Sequence, residues 1–392
     1  MPVRLPPLSL YVHIPWCVKK CPYCDFNSHG LKGALPEKAY VDALLRDLDQ
    51  DLPRAEGREI RTVFFGGGTP SLFSAEAIGR VLEGVRSRLP MATDVEVTLE
   101  ANPGTVEQGR FAGYKSVGVT RLSIGVQSFD AQKLEVLGRI HSSGEARRAA
   151  EQAHAAGLSN FNLDLMYALP KQELAQALAD LEQAVALKPA HISHYQLTLE
   201  PNTLFAAHPP LLPEDESVWT MQQACQQFLA GHGYAQYEIS AYAQPERQAR
   251  HNLNYWRFGD YLGVGAGAHG KLTDAAGDVT RLWKLKHPDA YLGSAGTPES
   301  LGGVSRVAQD ELAFEFMLNR LRLIEGFTAH EFESATGLLV AQIAAPLQRA
   351  LELKLLETTA DGWTVSSQGH NFLNDLQSLF LPAKSANRKI SA

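Results

Sequence analysis

Residues 11–29 read Tyr11-Val-His-Ile-Pro-Trp-Cys-Val-Lys-Lys-Cys-Pro-Tyr-Cys-Asp-Phe-Asn-Ser-His29, and they hold three of the four cysteines of the 392-residue chain. A short apolar run, Leu8 to Ile14, precedes the cysteines and predicts a β-strand that leads into a tight loop. The cysteines are too close together, and too odd in number, for a disulfide framework. In a chain this poor in cysteine, clustered thiols are typical metal ligands. We therefore expect Cys17, Cys21 and Cys24 to hold a metal ion or a cluster.

Two kinds of metal centre fit three thiols. A structural zinc site needs four protein ligands, so His13 or His29 would have to complete it. An iron–sulfur cube normally has four cysteine ligands, so three cysteines leave one iron without a protein ligand and able to bind another molecule. The spacing favours the cluster, and zinc remains the alternative.

The Cys-x3-Cys-x2-Cys spacing of this loop closely resembles the signature of the radical S-adenosylmethionine (radical SAM) enzymes. The resemblance implies a [4Fe–4S] cluster whose open iron chelates the amino and carboxylate groups of the methionine part of SAM. It also implies that one electron from the cluster cleaves the sulfonium and yields a 5′-deoxyadenosyl radical. The sequence assigns no residue a catalytic role.

The composition is that of an ordinary globular protein, with 45% apolar and 20% charged residues. The formal net charge is −7, so the chain lacks the excess of basic residues that is typical of nucleic-acid-binding proteins. Nucleic acid is therefore not expected as a main partner. No apolar run reaches the roughly 20 residues of a membrane span, and the N-terminus lacks the apolar core of a signal peptide. These features predict a cytoplasmic protein. They leave peripheral membrane association and the oligomeric state open.

Strand and helix patterns alternate from the cysteine loop to the Thr198-Leu-Glu-Pro201 segment, which predicts an α/β fold with a parallel sheet. Polar residues recur at the predicted carboxyl ends of the strands, where barrels of this kind build their sites. These residues are Glu100, Gln127, Asp164 and Glu200. Each alone could simply be a polar strand end. Together with the cysteine loop, they predict the partial (β/α)6 barrel of the radical SAM core.

The domain boundaries follow from shifts in composition. We expect the core at residues 1–240, a connecting region at 241–303, and a smaller, mainly helical, winged-helix-like C-terminal domain at 304–382. Within the connecting region, residues 286–303 are rich in Gly, Pro and Ser and predict a linker. Residues 383–392 are predicted to be disordered. The fourth cysteine, Cys225, lies in a helical pattern and is interpreted as a small buried residue rather than a ligand.

The resemblance also implies a set of SAM-binding residues. The turn Gly66-Gly67-Gly68-Thr69-Pro70 resembles the family's Gly-Gly-x-Pro element, which holds the methionine end of SAM. Glu100 matches the residue that accepts hydrogen bonds from the ribose. The remaining expected contacts are Tyr11, Tyr23, Gln127, Arg139 and Asp164. Taken singly, each could instead be a salt-bridged rim residue or a core aromatic residue.

Further motifs narrow the resemblance to the oxygen-independent coproporphyrinogen III dehydrogenase superfamily. They are Tyr-x-His-Ile-Pro-x-Cys-x3-Cys-x-Tyr-Cys, the glycine turn, Gly125-Val-Gln-Ser-Phe129 and Asn162-Leu-Asp-Leu-Met166. The dehydrogenases of that superfamily carry another cysteine two residues after the third ligand, and an N-terminal extension. Here position 26 is Phe26, and the first cysteine already stands at position 17. Both departures match the HemW-type haem chaperones instead.

The haem chaperones also carry a His-Asn-x-x-Tyr-Trp motif, which this chain has at residues 251–256. The resemblance makes His251, Asn252, Tyr255 and Trp256 candidate haem contacts, since histidine ligates haem iron and aromatic rings stack on the macrocycle. The alternative is that His251 and Asn252 cap a turn while Tyr255 and Trp256 pack in the core. His13, close to the cluster loop, is a second candidate for holding haem. Another unusual stretch, Tyr261-Leu-Gly-Val-Gly-Ala-Gly-Ala-His269, follows the motif.

The sequence thus predicts a haem chaperone with a SAM-binding [4Fe–4S] cluster and haem as its cargo. It would pass haem to acceptor haemoproteins, those of the respiratory membrane being the first candidates. The runner-up is an oxygen-independent coproporphyrinogen III dehydrogenase that removes two propionate carboxyls by oxidative decarboxylation. A third reading, from a different class, is a zinc-stabilised (β/α) protein with purely structural cysteines.

Overall fold

One large sheet runs through most of the chain in a computed structural model that describes residues 5–104 and 110–382. In chain order its strands are β1 (Leu8–Ile14), β2 (Ile60–Gly67), β3 (Met91–Ala101), β4 (Arg121–Gln127), β5 (Phe161–Tyr167), β6 (His191–Gln196), β7 (Ala235–Glu238), β8 (Ala241–Ala243), β9 (Asp260–Val264), β10 (His269–Thr273), β11 (Val279–Lys284) and β12 (Leu301–Arg306). Across the sheet their order is β12-β11-β10-β9-β1-β2-β3-β4-β5-β6-β8-β7.

Strands β1 to β6 lie side by side in chain order, and all five of their pairings are parallel. The first strand shows why. Leu8, Leu10 and Val12 are fully buried and so is Ser9 between them, a pattern typical of a parallel strand that is covered on both faces. Parallel neighbours need a crossover connection, and helices supply it here. The predicted α/β partial barrel of six strands is confirmed.

The helices follow the strands in the expected alternation. In chain order they are α1 (Glu37–Ala55), α2 (Ala75–Arg86), α3 (Phe111–Ser116), α4 (Ala131–Val136), α5 (Ser143–Ala155), α6 (Leu174–Ala186), α7 (Leu204–Ala207), α8 (Asp215–Gly231), α9 (Arg250–Trp256), α10 (Pro288–Ser294), α11 (Leu312–Arg320), α12 (Ala329–Thr336), α13 (Ala344–Glu352), α14 (Ser367–Asn371) and α15 (Leu373–Ser378). Cys225 lies in α8 and is fully buried, as expected. None of the helices described is long and apolar enough to cross a membrane.

The region between residues 241 and 303 belongs to the same sheet. Strand β9 lies parallel to β1 on the edge away from β2, with Leu10 opposite Leu262, and β10 to β12 continue outward in antiparallel pairs. The prediction of a linker at residues 286–303 is wrong, because this stretch holds α10 and the first half of β12. The fully buried Tyr291 anchors α10 beside Tyr40 of α1, a contact that the Gly, Pro and Ser content concealed. The exact domain boundaries stay a prediction.

A buried ionic cluster ties the outer strands to α1. The ammonium of Lys284 donates hydrogen bonds to Asp47 at 2.5 Å and to Asp51 at 2.6 Å, and the side chains of all three are fully buried. The hydroxyl of Tyr291 donates to Asp47 at 2.6 Å. Because a buried charge is costly unless it is paired, this cluster fixes where β11 and α10 lie on α1.

The C-terminal part forms a smaller unit. Its strands pair antiparallel in the order Phe327–Thr328, Gly362–Val365, Leu356–Thr358, beside α11 to α15. Phe316, Phe327 and Phe332 pack edge to face in a hydrophobic cluster that also takes in Phe258, just after α9. The predicted mainly helical, winged-helix-like domain is confirmed. The predicted disordered tail, residues 383–392, lies outside the described residues.

Candidate functional site

The cysteine loop leaves the carboxyl end of β1 and is closed by a short parallel pairing. Trp16–Cys17 pairs with His29–Gly30, and the amide of Leu31 donates to the carbonyl of Cys17 at 2.9 Å. The amide of Cys24 donates to the carbonyl of Cys21 at 3.2 Å, which makes a turn between the second and third thiols. The loop is thereby held at the rim where the barrel strands end.

Each of the three thiols has its own hydrogen-bonding neighbour. Thr69 Oγ1 donates to Cys17 Sγ at 3.5 Å, and Arg139 Nη1 donates to Cys21 Sγ at 3.6 Å. Ser28 Oγ lies 3.8 Å from Cys24 Sγ. Hydrogen bonds to sulfur stabilise the negative charge that thiolate ligands and a cluster carry.

The donor set fits a cluster better than a single ion. In residues 5–104 and 110–382, no three His, Cys, Asp or Glu side chains converge as one metal ion would require. Three thiols that each serve a different iron of a cube stand farther apart than three around one ion. His13, one possible fourth zinc ligand, has both ring nitrogens in hydrogen bonds, to Tyr11 at 2.9 Å and to the carbonyl of Asn27 at 2.8 Å.

The glycine turn after β2 lies against the cysteine loop. Gly67 has φ +113°, and a Cβ there would lie 2.5 Å from the His13 ring. A Cβ on Gly68 would lie 2.6 Å from the carbonyl oxygen of Trp16. Only glycine fits such a close approach, so the turn needs its glycines whether or not a ligand is bound. The third predicted residue, Thr69, contacts Cys17 as described above and is buried.

Glu100 lies at the end of β3 and accepts a hydrogen bond from the amide of Gly67 at 3.1 Å. Burial, with the nearby charge of Asp164, raises the pKa of Glu100 to about 8. Burial also raises the pKa of Asp164, although Asn162 and Ser123 donate to its carboxylate at 2.8 and 3.0 Å. Glu100 and Asp164 form no ion pair with a described side chain, so their carboxyl oxygens are acceptors suited to hydroxyl groups of a ligand.

A second set of contacts joins Arg139 to the cysteine loop. Its Nη2 donates to Asn102 Oδ1 at 2.6 Å and to the carbonyl of Gly125 at 2.7 Å, while Nη1 reaches Cys21. Asn102 in turn donates to Thr69 Oγ1 at 3.0 Å. The Nε of Arg139 is buried and has no hydrogen-bond partner among the described residues. An unpaired buried donor beside the thiols is consistent with a site made for a further group.

The other predicted SAM contacts lie on the same rim. Gln127 ends β4 with φ +66°, and its side chain accepts a hydrogen bond from the hydroxyl of Tyr195 at 2.7 Å. Tyr23 packs against Phe205, with ring centroids 6.4 Å apart. Sequence reasoning missed Tyr195, which lies on β6. It also gave no role to Asn102, two residues beyond Glu100.

His251 is buried against strand β2 and does not line an open pocket. Its Nδ1 lies 2.7 Å from Thr62 Oγ1, its Nε2 lies 3.0 Å from the hydroxyl of Tyr255, and its ring stacks on Phe64. Burial lowers the pKa of His251 to about 3, so the ring is neutral at physiological pH. Both ring nitrogens are engaged within the protein.

The rest of the His-Asn-x-x-Tyr-Trp motif divides between two surroundings. Tyr255 lines a cavity beside the cysteine loop. The ring of Trp256 instead packs against the guanidinium of Arg322, whose Cζ lies 4.3 Å from the ring centroid. Asn252 is half-buried. The indole nitrogen of Trp256 has no partner among the described residues.

That cavity has a volume of about 700 Å³ and opens beside the cysteine loop. Its lining includes the expected SAM residues Tyr11, Gly67 and Glu100, and also Cys24. The lining also includes Phe26, Tyr261, His269 and Lys286, to none of which the sequence gave a role in binding. Burial, with Lys286 and Arg281 nearby, lowers the pKa of His269. The only sequence signal for His269 was its place at the end of a glycine-rich run that directly follows a strand.

Two family models match the chain. The Radical SAM superfamily model covers residues 11–184, and the HemN C-terminal domain model covers residues 307–372. The fold also resembles the solved structure of coproporphyrinogen III oxidase (HemN) from Escherichia coli, with a TM-score of 0.82 at 23% identity, covering 97% of this chain and 91% of that one. At this identity the likeness concerns the fold alone.

The relatives in sequence are more informative. The chain is 53% identical to "Heme chaperone HemW" of Escherichia coli (strain K12) over 97% of its length and 99% of that protein. It is 50% identical to the protein of the same name in Haemophilus influenzae, over 96% and 99% of the two chains. The mitochondrial "Radical S-adenosyl methionine domain-containing protein 1" of Bos taurus is 39% identical over 72% of this chain and 66% of that protein. This chain therefore belongs to the radical SAM superfamily and, within it, to the HemW family.

Proposed function

We propose that the protein binds haem and transfers it to an acceptor haemoprotein, with a SAM-binding [4Fe–4S] cluster as its resident cofactor. The observation that carries this proposal is the full-length identity to relatives named heme chaperone HemW. Phe26 supports it, because the side chain two residues after the third thiol is a phenyl ring that is 59% exposed and cannot ligate a metal. The dehydrogenase branch would have a cysteine there.

Membership in the radical SAM superfamily implies the cluster and SAM. We propose Cys17, Cys21 and Cys24 as the cluster ligands, each aided by the hydrogen-bonding neighbour described above. The cluster and SAM, when bound, supply one-electron and radical chemistry. The chain's own contribution is to hold them at the carboxyl ends of the strands.

The residues proposed to hold SAM divide by chemistry. Gly67, Gly68 and Thr69 form a close-fitting turn for the methionine end, and Arg139 can neutralise a carboxylate. Glu100 and Asp164 offer buried acceptors to the ribose hydroxyls. Tyr11, Tyr23 and Gln127 complete the walls.

The geometry supports different roles for two residues of the haem motif. We assign Tyr255 to contact with haem, because it lines the cavity, and His251 to positioning Tyr255 through their 3.0 Å hydrogen bond. Asn252 and Trp256 stay candidates from the family motif, as does His13 at the cavity wall. The proposed setting is the cytoplasm, with acceptor haemoproteins, including respiratory ones, as the partners.

Anaerobic reconstitution of the cluster, followed by separate addition of haem and of coproporphyrinogen III, tests the proposal. Stable haem binding, transfer to an apo-haemoprotein and no porphyrinogen turnover are expected. Formation of protoporphyrinogen IX would instead establish the dehydrogenase. Zinc near one equivalent, without iron or sulfide, would favour a structural role for the cysteines.

A further inference from the structure

We infer that His269, at the start of β10, ligates the iron of the haem cargo in the cavity beside the cysteine loop. The inference rests on the proposed function, and it names the site and the ligand of that function. It also moves iron ligation away from the motif histidine at position 251.

The three histidines that line the cavity and the motif histidine, His251, differ in whether a ring nitrogen is free to bind a ligand. His13 and His251 each use both ring nitrogens within the protein. His29 is engaged as well, by Asn27 Oδ1 at 3.3 Å and by the backbone of Lys286. His269, in contrast, makes no side-chain hydrogen bond to any residue the structure describes. Haem iron needs a free imidazole nitrogen, and of these four rings only His269 offers one.

The ring of His269 is held in place without a hydrogen bond. It stacks on the indole of Trp283 in the neighbouring strand β11, with centroids 6.3 Å apart and the planes 25° from parallel. Backbone pairing of the amide of Lys284 with the carbonyl of Ala268 at 2.9 Å fixes the residue before it. An aromatic support of this kind sets the direction of the ring and leaves its nitrogens unused.

Asn27 links the segment that carries His269 to the cysteine loop. Its Nδ2 donates to the carbonyls of Ala266 and Lys286, both at 2.9 Å. Gly267 has φ +78°, and a Cβ there would lie 2.2 Å from Asn27, so the glycine-rich run fits closely against the loop that carries the thiols. The segment that presents His269 therefore cannot move independently of the cysteine loop.

The aromatic and basic residues of the cavity lining suit a planar, apolar macrocycle that carries two carboxylates. Tyr255 and Tyr261 meet edge to face with centroids 4.4 Å apart, and Phe26 is largely exposed. Lys20 and Lys286 belong to the cavity lining, and neither forms an ion pair with a described carboxylate, so both can pair with propionates. Two carboxyl groups, those of Asp25 and Glu100, also belong to the lining of the cavity.

A larger groove, about 1850 Å³, lies between the barrel and the C-terminal unit, but it is less suited to haem. Its six arginines already have carboxylate partners. These pairs are Arg58–Asp260, Arg61–Glu59, Arg250–Asp94, Arg257–Glu325, Arg306–Asp278 and Arg320–Glu331. The groove also exposes a histidine, His330, which provides a matched control.

The test uses the full chain without an affinity tag, with its cluster reconstituted anaerobically, and titrates it with ferric haem. We compare the wild type, His269→Ala and His330→Ala by absorption, electron paramagnetic resonance and resonance Raman spectroscopy, with and without added imidazole. His269→Ala is expected to weaken binding roughly tenfold or more and to lose the signature of imidazole ligation. Imidazole is expected to restore that signature, and His330→Ala to match the wild type.

Each other outcome counts against the inference. If His269→Ala keeps the wild-type affinity and spectrum, another residue is the ligand. If affinity falls but imidazole restores nothing, while circular dichroism and cluster absorbance are unchanged, His269 acts structurally and not as the ligand. A wild-type protein that binds no haem would overturn the proposed function itself, and the inference with it, which is a different result from binding that ignores the substitution.

Discussion

At the scale of single residues, the site consists of groups whose environments set their chemistry. Each of the three loop thiols has a polar neighbour, and the buried carboxyl groups of Glu100 and Asp164 have raised pKa values. The thiols and the glycines could be predicted from the sequence, because their spacing is local and the chemistry demands those residue types. The free ring of His269 could not be predicted, since whether a histidine is engaged depends on neighbours distant in the chain.

Cys21→Ala is expected to remove iron, sulfide and the brown cluster absorbance while the barrel still folds, because Cys21 is a proposed cluster ligand and is not part of the hydrophobic core. Iron analysis and circular dichroism measure both effects. The matched control is Cys225→Ala, which removes a thiol that is fully buried in α8 and should leave the cluster intact. Insolubility of the Cys21 variant alone, or full iron retention, would contradict the assignment.

Glu100→Gln is expected to change how stability depends on pH in the cluster-free chain. The pKa of Glu100 is raised from 4.5 to about 8, so the folded state keeps a proton that the unfolded state has lost within that window. The free energy of unfolding of the wild type therefore falls, through this group, as the pH rises from about 4.5 to 8. Glu100→Gln has no carboxyl group to titrate at this position, so its free energy of unfolding should not fall in this way. Its free energy of unfolding relative to the wild type should therefore rise over the same pH window, by an amount on the order of 3–5 kcal/mol.

Urea unfolding at a series of pH values measures that difference. An exposed carboxyl group on α2 provides the control, since Glu83→Gln should follow the wild-type curve. A constant offset between wild type and Glu100→Gln at every pH would show that Glu100 is ionised alike in the folded and unfolded chain.

At the scale of elements, the barrel strands could be predicted because their apolar runs and the helices between them are local patterns. The pairing of β9 with β1 could not, because it joins segments about 250 residues apart and no local period encodes it. The same holds for α10, whose single buried aromatic anchor lies in a stretch that composition alone marks as a linker. These long-range contacts are what bring His269 beside the cysteine loop.

Lys284→Ala is expected to destabilise the protein by roughly 3–5 kcal/mol, because it leaves Asp47 and Asp51 buried without their cation. Denaturant unfolding measures the loss. Lys38→Ala is the matched control: it removes a lysine that is 83% exposed from an ion pair with Asp42, and should cost less than about 1 kcal/mol. Equal, small losses in the two variants would show that the buried cluster does not hold β11 on α1.

At the scale of the whole molecule, the chain joins a radical SAM barrel to a smaller C-terminal unit and gathers its expected cofactor site and one cavity on a single rim. The α/β class, the partial barrel and the C-terminal unit were all predictable, because motifs and alternation extend over most of the chain. The extension of the sheet beyond β1 was not. This extension contributes Tyr261, Gly267 and His269 to the lining of the cavity.

The central claim is that three thiolates leave one iron of the cluster open to SAM. Electron paramagnetic resonance of the reduced, anaerobically reconstituted protein, recorded before and after addition of SAM, tests it most directly. We predict a clear change in the cluster signal on addition, because the amino and carboxylate groups of SAM enter the coordination of the open iron. An unchanged signal, with all four irons ligated by the protein's own side chains, would contradict the account.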